Sequence, residues 1–196
     1  ISEDGINYLK NVFCAVRNVK ISRLGVKIPE LFSIPTPDGH VSILSVSFCV
    51  PVKNVDKIVD ALHILAQRRP EWKITWSHIG DGPLRPELEA RAKALFKSTA
   101  VDWRFLGQLD NADVLRYIES HSIDFILNAS SSEGIPVSLM EAMARGVPAV
   151  APDVGGISEL VSNENGVLLP ADATSDDIAS TIIDRIHHLK SPAVRC

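Results

Sequence analysis

The sequence predicts an α/β protein: a doubly wound parallel sheet of about six strands with helices on both faces. Three observations lead there. Strand-length apolar runs alternate with segments of helical period, which is the pattern of βαβ units. The strand runs are nearly continuous in Val, Ile, Leu and Phe, as expected when a helix layer covers each face. Glycine-bearing turns follow most of the strands.

The elements can be justified in order. Residues 1–38 read as a lead-in, with a short helix at Tyr8 to Phe13 and a Pro- and Gly-rich loop from Ile34 to Gly39. Val41 to Phe48 is the first strand. Asn54 to Arg68 is a helix with Val55, Ile58, Val59, Leu62, Leu65 and Ala66 toward the core. Trp72 to Ile79 is the second strand. Pro83 to Lys97 is a helix with Leu84, Leu88, Ala92 and Leu95 inward. Val101 to Leu106 is the third strand, and Asp110 caps a helix that runs to Ser120, with Asp113 in its first turn. Ile123 to Ala129 is the fourth strand, followed by a helix that starts at Pro136, Pro being suited to a first helical position. Val147 to Ala151 and Gly166 to Leu169 are the fifth and sixth strands. Thr174 and Asp177 form a capping box that opens a last helix, with Ile178, Ile182, Ile183, Ile186 and Leu189 inward. Together these make a Rossmann-like sheet, whose ligands bind at the carboxyl ends of the strands.

Composition narrows the function classes. The chain has 196 residues, 45% of them hydrophobic, and a net charge of −4. That describes a folded domain with a sizeable core rather than a disordered chain, and it argues against nucleic acid as a partner. The longest apolar stretch, Val41 to Val52, contains Ser and Pro and is too short to span a bilayer. No signal peptide opens the chain. Its first residue is Ile, which suits a fragment or a processed chain. Cys14, Cys49 and Cys196 are scattered and odd in number, and read as free thiols in a reducing, cytoplasmic compartment. The six histidines are His40, His63, His78, His121, His187 and His188, and none has metal-ligand spacing. His78, near the carboxyl end of the second strand, is the one placed at the edge of a site. No Ser-His-Asp or Cys-His set stands out.

The segment Ser131 to Pro148 carries the most chemistry. Glu133 precedes a Gly-x-Pro turn, and Glu141 lies inside an otherwise nearly apolar helix. A carboxylate there needs a partner, because burying an unpaired charge is expensive. At helical spacing Val137, Met140 and Ala144 share one face, Leu139 and Met143 lie roughly opposite, and Ser138, Glu141 and Arg145 form a narrow polar stripe. The helix start favours an anion such as phosphate, flanked by Glu133 and Glu141. The plainer reading is a polar stripe facing water, with Glu141 paired to Arg145 at i, i+4.

The run from about Val41 to about Leu189 resembles the retaining GT-B-fold glycosyltransferases, the group that includes glycogen and sucrose synthases. The resemblance rests on Ile79-Gly80-Asp81-Gly82-Pro83-Leu84, Phe105-Leu106-Gly107, Ser132-Glu133-Gly134 with Glu141-Ala142-Met143-Ala144, and Gly155-Gly156-Ile157-Ser158-Glu159 followed by Asn165-Gly166. It implies the C-terminal half of a GT-B fold: residues 39–196 as the domain that binds a nucleotide-diphosphate sugar, with the N-terminal acceptor domain absent. It implies transfer of a hexosyl group to an acceptor hydroxyl with retention, in bacterial polysaccharide or glycoconjugate synthesis. The acceptor, a glycan or lipid-linked sugar, would be held by the missing domain. No metal or other cofactor is implied, and membrane contact is not encoded in this stretch.

The resemblance also implies residue roles. Lys53 would hold the donor diphosphate, and Glu133 and Lys53 would act at the reacting centre. Glu133 would reach hydroxyls of the transferred sugar, and the stretch Gly134, Ile135, Pro136 and Val137 would face sugar or phosphate oxygens through the main-chain N–H groups of Gly134, Ile135 and Val137. Glu141 would accept hydrogen bonds from the ribose hydroxyls, as an ionised carboxylate can from a vicinal diol. Gly80 and Gly82 would lie near the donor, and the turn at Leu106, Gly107 and Gln108 under the nucleobase. Asp81 reads as a turn residue, and Gly155, Gly156 and Glu159 fit either a loop or a site. Phe48 stands where the pattern has an Arg. Two alternatives remain: a nucleotide-sugar-binding module without catalysis, and a nucleotide-sugar epimerase on the same fold.

Overall fold

A computed structural model describes residues 2–12 and 20–195, leaving aside the side chain of Asp4. Cys14, Cys196 and the Phe13 end of the expected first helix lie outside the described residues. Helix α1 (Glu3–Val12) precedes the alternating unit. That unit runs β1 (His40–Val46), α2 (Val55–Arg68), β2 (Lys73–Ile79), α3 (Arg85–Phe96), β3 (Val101–Phe105), α4 (Asn111–Ser120) and β4 (Phe125–Leu127). It continues with α5 (Val137–Met143), β5 (Ala149–Pro152), β6 (Gly166–Leu169) and α6 (Ser175–Lys190). Short 3-10 turns stand at Pro51–Lys53 and Ile157–Glu159.

The six strands form one sheet in the order β3-β2-β1-β4-β5-β6, and every pairing between them is parallel. The doubly wound expectation holds, with the switch point between β1 and β4. Alternation along the strands divides the core. Ile43, Trp76, Phe125 and Val150 point to one face, under α2, α3 and α6. Leu44, Ile79, Ile126 and Ala149 point to the other, under α4 and α5. All the inward positions expected for α2 are buried, and so are Ile178, Ile182, Ile186 and Leu189 of α6. The Thr174–Asp177 capping box forms as expected. Asp110 is the residue before α4, but its side chain makes no capping bond.

Three further expectations are corrected. The strands are not apolar on both faces throughout: Asp102 and Arg104 of β3 are more than half exposed. With Ser42, Thr75, Ser77, Tyr117 and His121 they border an open groove of about 380 Å³, so the second face of β2 and β3 meets water. The fourth strand is shorter than Ile123 to Ala129, because polar side chains take over at both ends. The carboxylate of Asp124, fully buried, accepts from Thr36 N at 2.8 Å and Ser42 N at 2.7 Å, while Asn128 Oδ1 accepts from Ser130 N at 2.8 Å and turns the chain away.

The third correction concerns His78, which is fully buried rather than at a site edge. Its Nδ1 lies 2.8 Å from Ser45 Oγ and its Nε2 3.4 Å from Cys49 Sγ. Ser45 Oγ also accepts from Trp76 Nε1 at 2.9 Å. Burial pushes the imidazole down from 6.5 to about 4, offsetting a backbone contact with Ser47 that raises it, and Arg85 lowers it further. Burial likewise pushes the Cys49 thiol up, so it stays a free, protonated thiol.

A histidine held neutral by the fold contributes stability that is fully present above its unfolded pKa and is lost as pH falls toward its folded one. For His78 that window runs from 6.5 down to about 4, and spans about 3 kcal/mol in all. Urea melts across this range are expected to show a loss of stability with falling pH that is shallower in His78→Gln. Equal slopes in the two proteins would show that His78 is not held neutral.

Candidate functional site

The carboxyl ends of β1 and β4 diverge at the switch point, and their loops build the site. After β1 the chain bends through Ser47 to Val50 into the 3-10 turn that carries Lys53. Asn54 ends that turn in the left-handed region at φ 46°, a conformation that Asn tolerates better than most residues. After β4 the chain runs through Asn128 and Ser130 to Glu133. Two bonds tie these loops together: Asn54 Nδ2 donates to Ala129 O at 3.0 Å, and Ser131 N to Val52 O at 2.9 Å.

The result is a direct ion pair between two residues singled out from the sequence. Lys53 Nζ donates to Glu133 Oε1 at 2.6 Å, with the side chains 22% and 11% exposed. Asn128 Nδ2 donates to the same oxygen at 3.2 Å. Burial would raise the Glu133 carboxyl, but hydrogen bonds from Lys53, Ser130 and Asn128 and the Lys53 charge outweigh it and hold it below its ordinary 4.5. It is therefore ionised near neutral pH and can act only as an acceptor.

The Glu133 loop is braced from beneath by a feature that sequence reasoning left undecided. Gly156 N donates to Gly134 O at 3.1 Å. Gly155 has φ +55°, and a Cβ there would lie 1.8 Å from Glu133 O. A side chain at this position is therefore excluded by backbone contact as well as by conformation. The Gly155-Gly156 turn is thus a support for Glu133. Glu159 faces the N-terminal segment instead: its carboxylate accepts from Glu3 N at 2.7 Å and lies 3.5 Å from Arg23 Nη2. A cavity of about 370 Å³ opens here, lined by Arg23, Leu24, Gly134, Ile135, Met140 and Leu160 among others.

Helix α5 begins one residue later than expected. Pro136 is extended at φ −70°, ψ 117° and stands just before the helix rather than inside it. Leu139 N and Met140 N are the first donors back to Pro136 O, each at 3.2 Å, so the Val137 and Ser138 amides precede the helical ladder. Leu139 and Ala142 are buried, while Val137 is 43% exposed. The pairing of Glu141 with Arg145 does not form. Arg145 is buried and its Nε donates to Glu119 at 2.9 Å, its Nη1 to the main-chain oxygen of Glu141. Glu141 Oε1 instead accepts from Asn111 Nδ2 at 2.7 Å. Asn111, at the start of α4, was not singled out from the sequence, because its partner lies thirty residues further on, in α5.

Gly80, Gly82, Gly107 and Gln108 form a second cluster at the carboxyl ends of β2 and β3, separate from the Lys53–Glu133 pair. Gly80 N donates to Gly107 O at 2.8 Å. Cβ atoms at Gly80 and Gly82 would lie 1.8 Å from Ser47 O and 2.7 Å from Cys49 O, so both glycines are required by the loop that follows β1. Gln108 is exposed at the rim. Phe48 is 58% exposed on that same loop. Among the described residues, no group of three or more His, Cys, Asp or Glu side chains is arranged to hold a metal ion.

Residues 40–188 match the family described as "Glycosyl transferases group 1". The amylovoran biosynthesis glycosyltransferase AmsK of Erwinia amylovora is 29% identical over 167 residues, which cover 80% of this chain and 39% of AmsK. The crystal structure of a mutant TarM of S. aureus with fondaparinux, alpha-GlcNAc-glycerol and UDP aligns with all of this chain and 37% of that one, at a TM-score of 0.76 and 20% identity. HepE of Anabaena, in complex with UDP and glucose, aligns over 80% of this chain and 42% of that one, at a TM-score of 0.64 and 27% identity. The chain thus spans well under half the length of these relatives. Among the described residues, no helix is long and apolar enough to cross a membrane.

The Lys53–Glu133 pair has a pH signature. A carboxyl whose folded pKa lies below its unfolded value adds stability that is complete above the unfolded value and disappears as pH falls through the folded one. The stability gap between the wild-type chain and Glu133→Gln is therefore expected to be constant from about pH 7 to about pH 5 and to close on further acidification. Thermal melts at stepped pH measure it, and a gap independent of pH would show that the ionised pair adds nothing.

Proposed function

The chain belongs to the glycosyl transferases group 1 family, and from that membership we propose that it is the donor-binding domain of a retaining glycosyltransferase. The observation that carries this is the Lys53–Glu133 pair at the switch point, where an open α/β sheet binds its ligands. The reading takes a nucleotide-diphosphate hexose as donor and a hydroxyl of a glycan or lipid-linked sugar as acceptor. It places the protein in bacterial polysaccharide or glycoconjugate synthesis. The UDP and glucose bound by HepE and the place of AmsK in amylovoran biosynthesis support it.

In this scheme the donor replaces an internal contact. Its diphosphate oxygens take the Lys53 ammonium, and hydroxyls of its sugar take the Glu133 carboxylate, so both charges exchange one partner for another. The bond from the anomeric carbon to the diphosphate oxygen breaks, and a bond to the acceptor oxygen forms on the same face. The acceptor proton passes to the departing phosphate oxygen. Lys53 and the main-chain N–H groups of Gly134, Ile135 and Val137 offset the charge that develops on the leaving group, which is stabilisation by preorganised donors, and the scheme calls on no metal. Glu141, held by Asn111 at the next helix, accepts from the ribose hydroxyls. The acceptor is held by chain outside residues 39–196, and the protein works in the cytoplasm.

Phe48 favours a second reading, in which the domain binds a nucleotide sugar without transferring it. An exposed aromatic ring stands where the resemblance has an arginine, and a charge-assisted hydrogen bond is worth about 1.5–3 kcal/mol.

A thermal-shift series with UDP, GDP, ADP and their sugars tests the donor site. A nucleotide at a hundred times its dissociation constant adds about 2.7 kcal/mol, a rise of roughly 5–10 °C for a domain of this size. The rise is expected with one nucleotide and is lost in Glu141→Ala; no rise with any nucleotide at millimolar concentration removes the reading. Phe48→Arg is expected to tighten nucleotide binding about ten- to a hundredfold. An unchanged affinity would mean that Phe48 does not occupy a phosphate-facing position.

A further inference from the structure

We propose that residues 2–12 and 20–24 form a strap that controls the Glu133 loop, and that Glu159 is the positioning residue through which the strap acts. The coupling is a property of the chain itself and holds whatever the site binds.

Strap and loop meet at Gly156. A Cβ added there would lie 2.8 Å from Ile135 Cγ1 and 2.9 Å from Ser2 Cβ, so the absence of a side chain lets Ser2 approach the loop closely. The Gly156 N–H donates to Gly134 O at 3.1 Å. Three residues on, Glu159 ends the 3-10 turn that Gly156 precedes. Its carboxylate accepts from Glu3 N at 2.7 Å and lies 3.5 Å from Arg23 Nη2, which also donates to Glu3 Oε1 at 3.2 Å. One short turn therefore touches the loop at its start and the strap at its end. The Glu159 side chain is only 14% exposed, and a carboxylate so covered needs compensating donors. Two of them come from the strap.

The strap is seated by these polar contacts more than by packing. Among its described residues only Ser2 and Ile6 are buried, while Tyr8, Val12 and Leu24 are half exposed or more. Between strap and loop lies the cavity of about 370 Å³, with Ser2, Arg23 and Leu24 on one side and Gly134, Ile135 and Met140 on the other. Well-packed interiors leave few voids of that size, so the apolar contacts that would lock the strap down are not made. An element with few buried apolar contacts opens locally before the rest of a fold. Seated, the strap clamps Gly156 against Gly134. Released, it gives Glu159 back to water and leaves the Gly156–Gly134 bond to hold the Glu133 loop by itself.

Hydrogen exchange read amide by amide tests this on the wild-type chain, Glu159→Ala, Glu159→Gln and Arg23→Met. The Glu3 amide reports on the strap and the Gly156 amide on the loop. The Gly80 amide, bonded to Gly107 O at 2.8 Å, reports on the rest of the same sheet edge. Exchange at Glu3 and Gly156 is expected to speed up together, by about tenfold in Glu159→Ala and about threefold in Arg23→Met, with Gly80 unchanged. Glu159→Gln keeps an oxygen that can accept from Glu3, and is expected to restore part of the protection at both positions. If Glu159→Ala fails to fold, Arg23→Met, at a half-exposed position, carries the comparison. Faster exchange at Glu3 alone would mean that Ile157, fully buried in the core, anchors the turn without the strap, and would overturn the inference. A rise shared equally by Gly80 would be a general loss of stability and would overturn it too, as would no change at Glu3.

Discussion

Everything at the ligand edge depends on how the loops after β1 and β4 are tied across the switch point. The two strands are neighbours, yet the chain leaves them toward opposite helix layers, α2 on one face and α5 on the other. The gap between diverging loops is what makes such an edge a pocket. It would also leave main-chain polar groups unpaired, which is costly where water is excluded. Asn54, Ser131 and the Lys53–Glu133 pair meet that need here. They hold Glu133 in place, and the Gly155-Gly156 turn closes beneath it. Substitutions in this small set should therefore disturb site geometry and local stability together.

A buried polar network at the opposite edge of the sheet does comparable work. Asp124 takes Thr36 N, Thr36 Oγ1 and Ser42 N. Lys190 of α6 reaches the same Thr36, and Arg195 donates to the main-chain oxygens of Asp124, Ser33 and Ile123. A buried carboxylate is tolerated when its lone pairs are filled. This one joins the segment before β1, the start of β4 and the end of α6. The two edges are built on different principles. The lower one is satisfied internally, whereas the upper one leaves exposed groups such as Gln108 and Phe48.

Element type and order were legible because burial imposes a period. The heptad-like spacing of Ile178, Ile182, Ile186 and Leu189, and the run Ile43-Leu44, leave little choice of structure. Boundaries were less legible wherever a polar side chain captured the backbone. Asp124 and Asn128 shorten β4, and Pro136 stands one place outside α5. Glu133 and Lys53 were singled out from their motifs, but their mutual contact was not, since it joins positions far apart in the chain. His78 was misplaced for a related reason. A histidine near a strand end looks like a site residue until Ser45, Cys49 and Trp76 are known to surround it. Asn111 carried no signal of its own, because an Asn at a helix start is usually solvated.

The closed Lys53–Glu133 pair also bears on how an anion arrives. A site that advertised an unpaired lysine would draw a polyanion from several ångströms away, and ionic strength would govern the encounter rate. Here the cation is already cancelled by a carboxylate 2.6 Å away, and the chain as a whole carries a net charge of −4. Long-range attraction is therefore slight. For the proposed anionic donor, capture would then come from short-range fit once the ligand is in contact, and discrimination would reside in how long a complex lasts rather than in how often one begins.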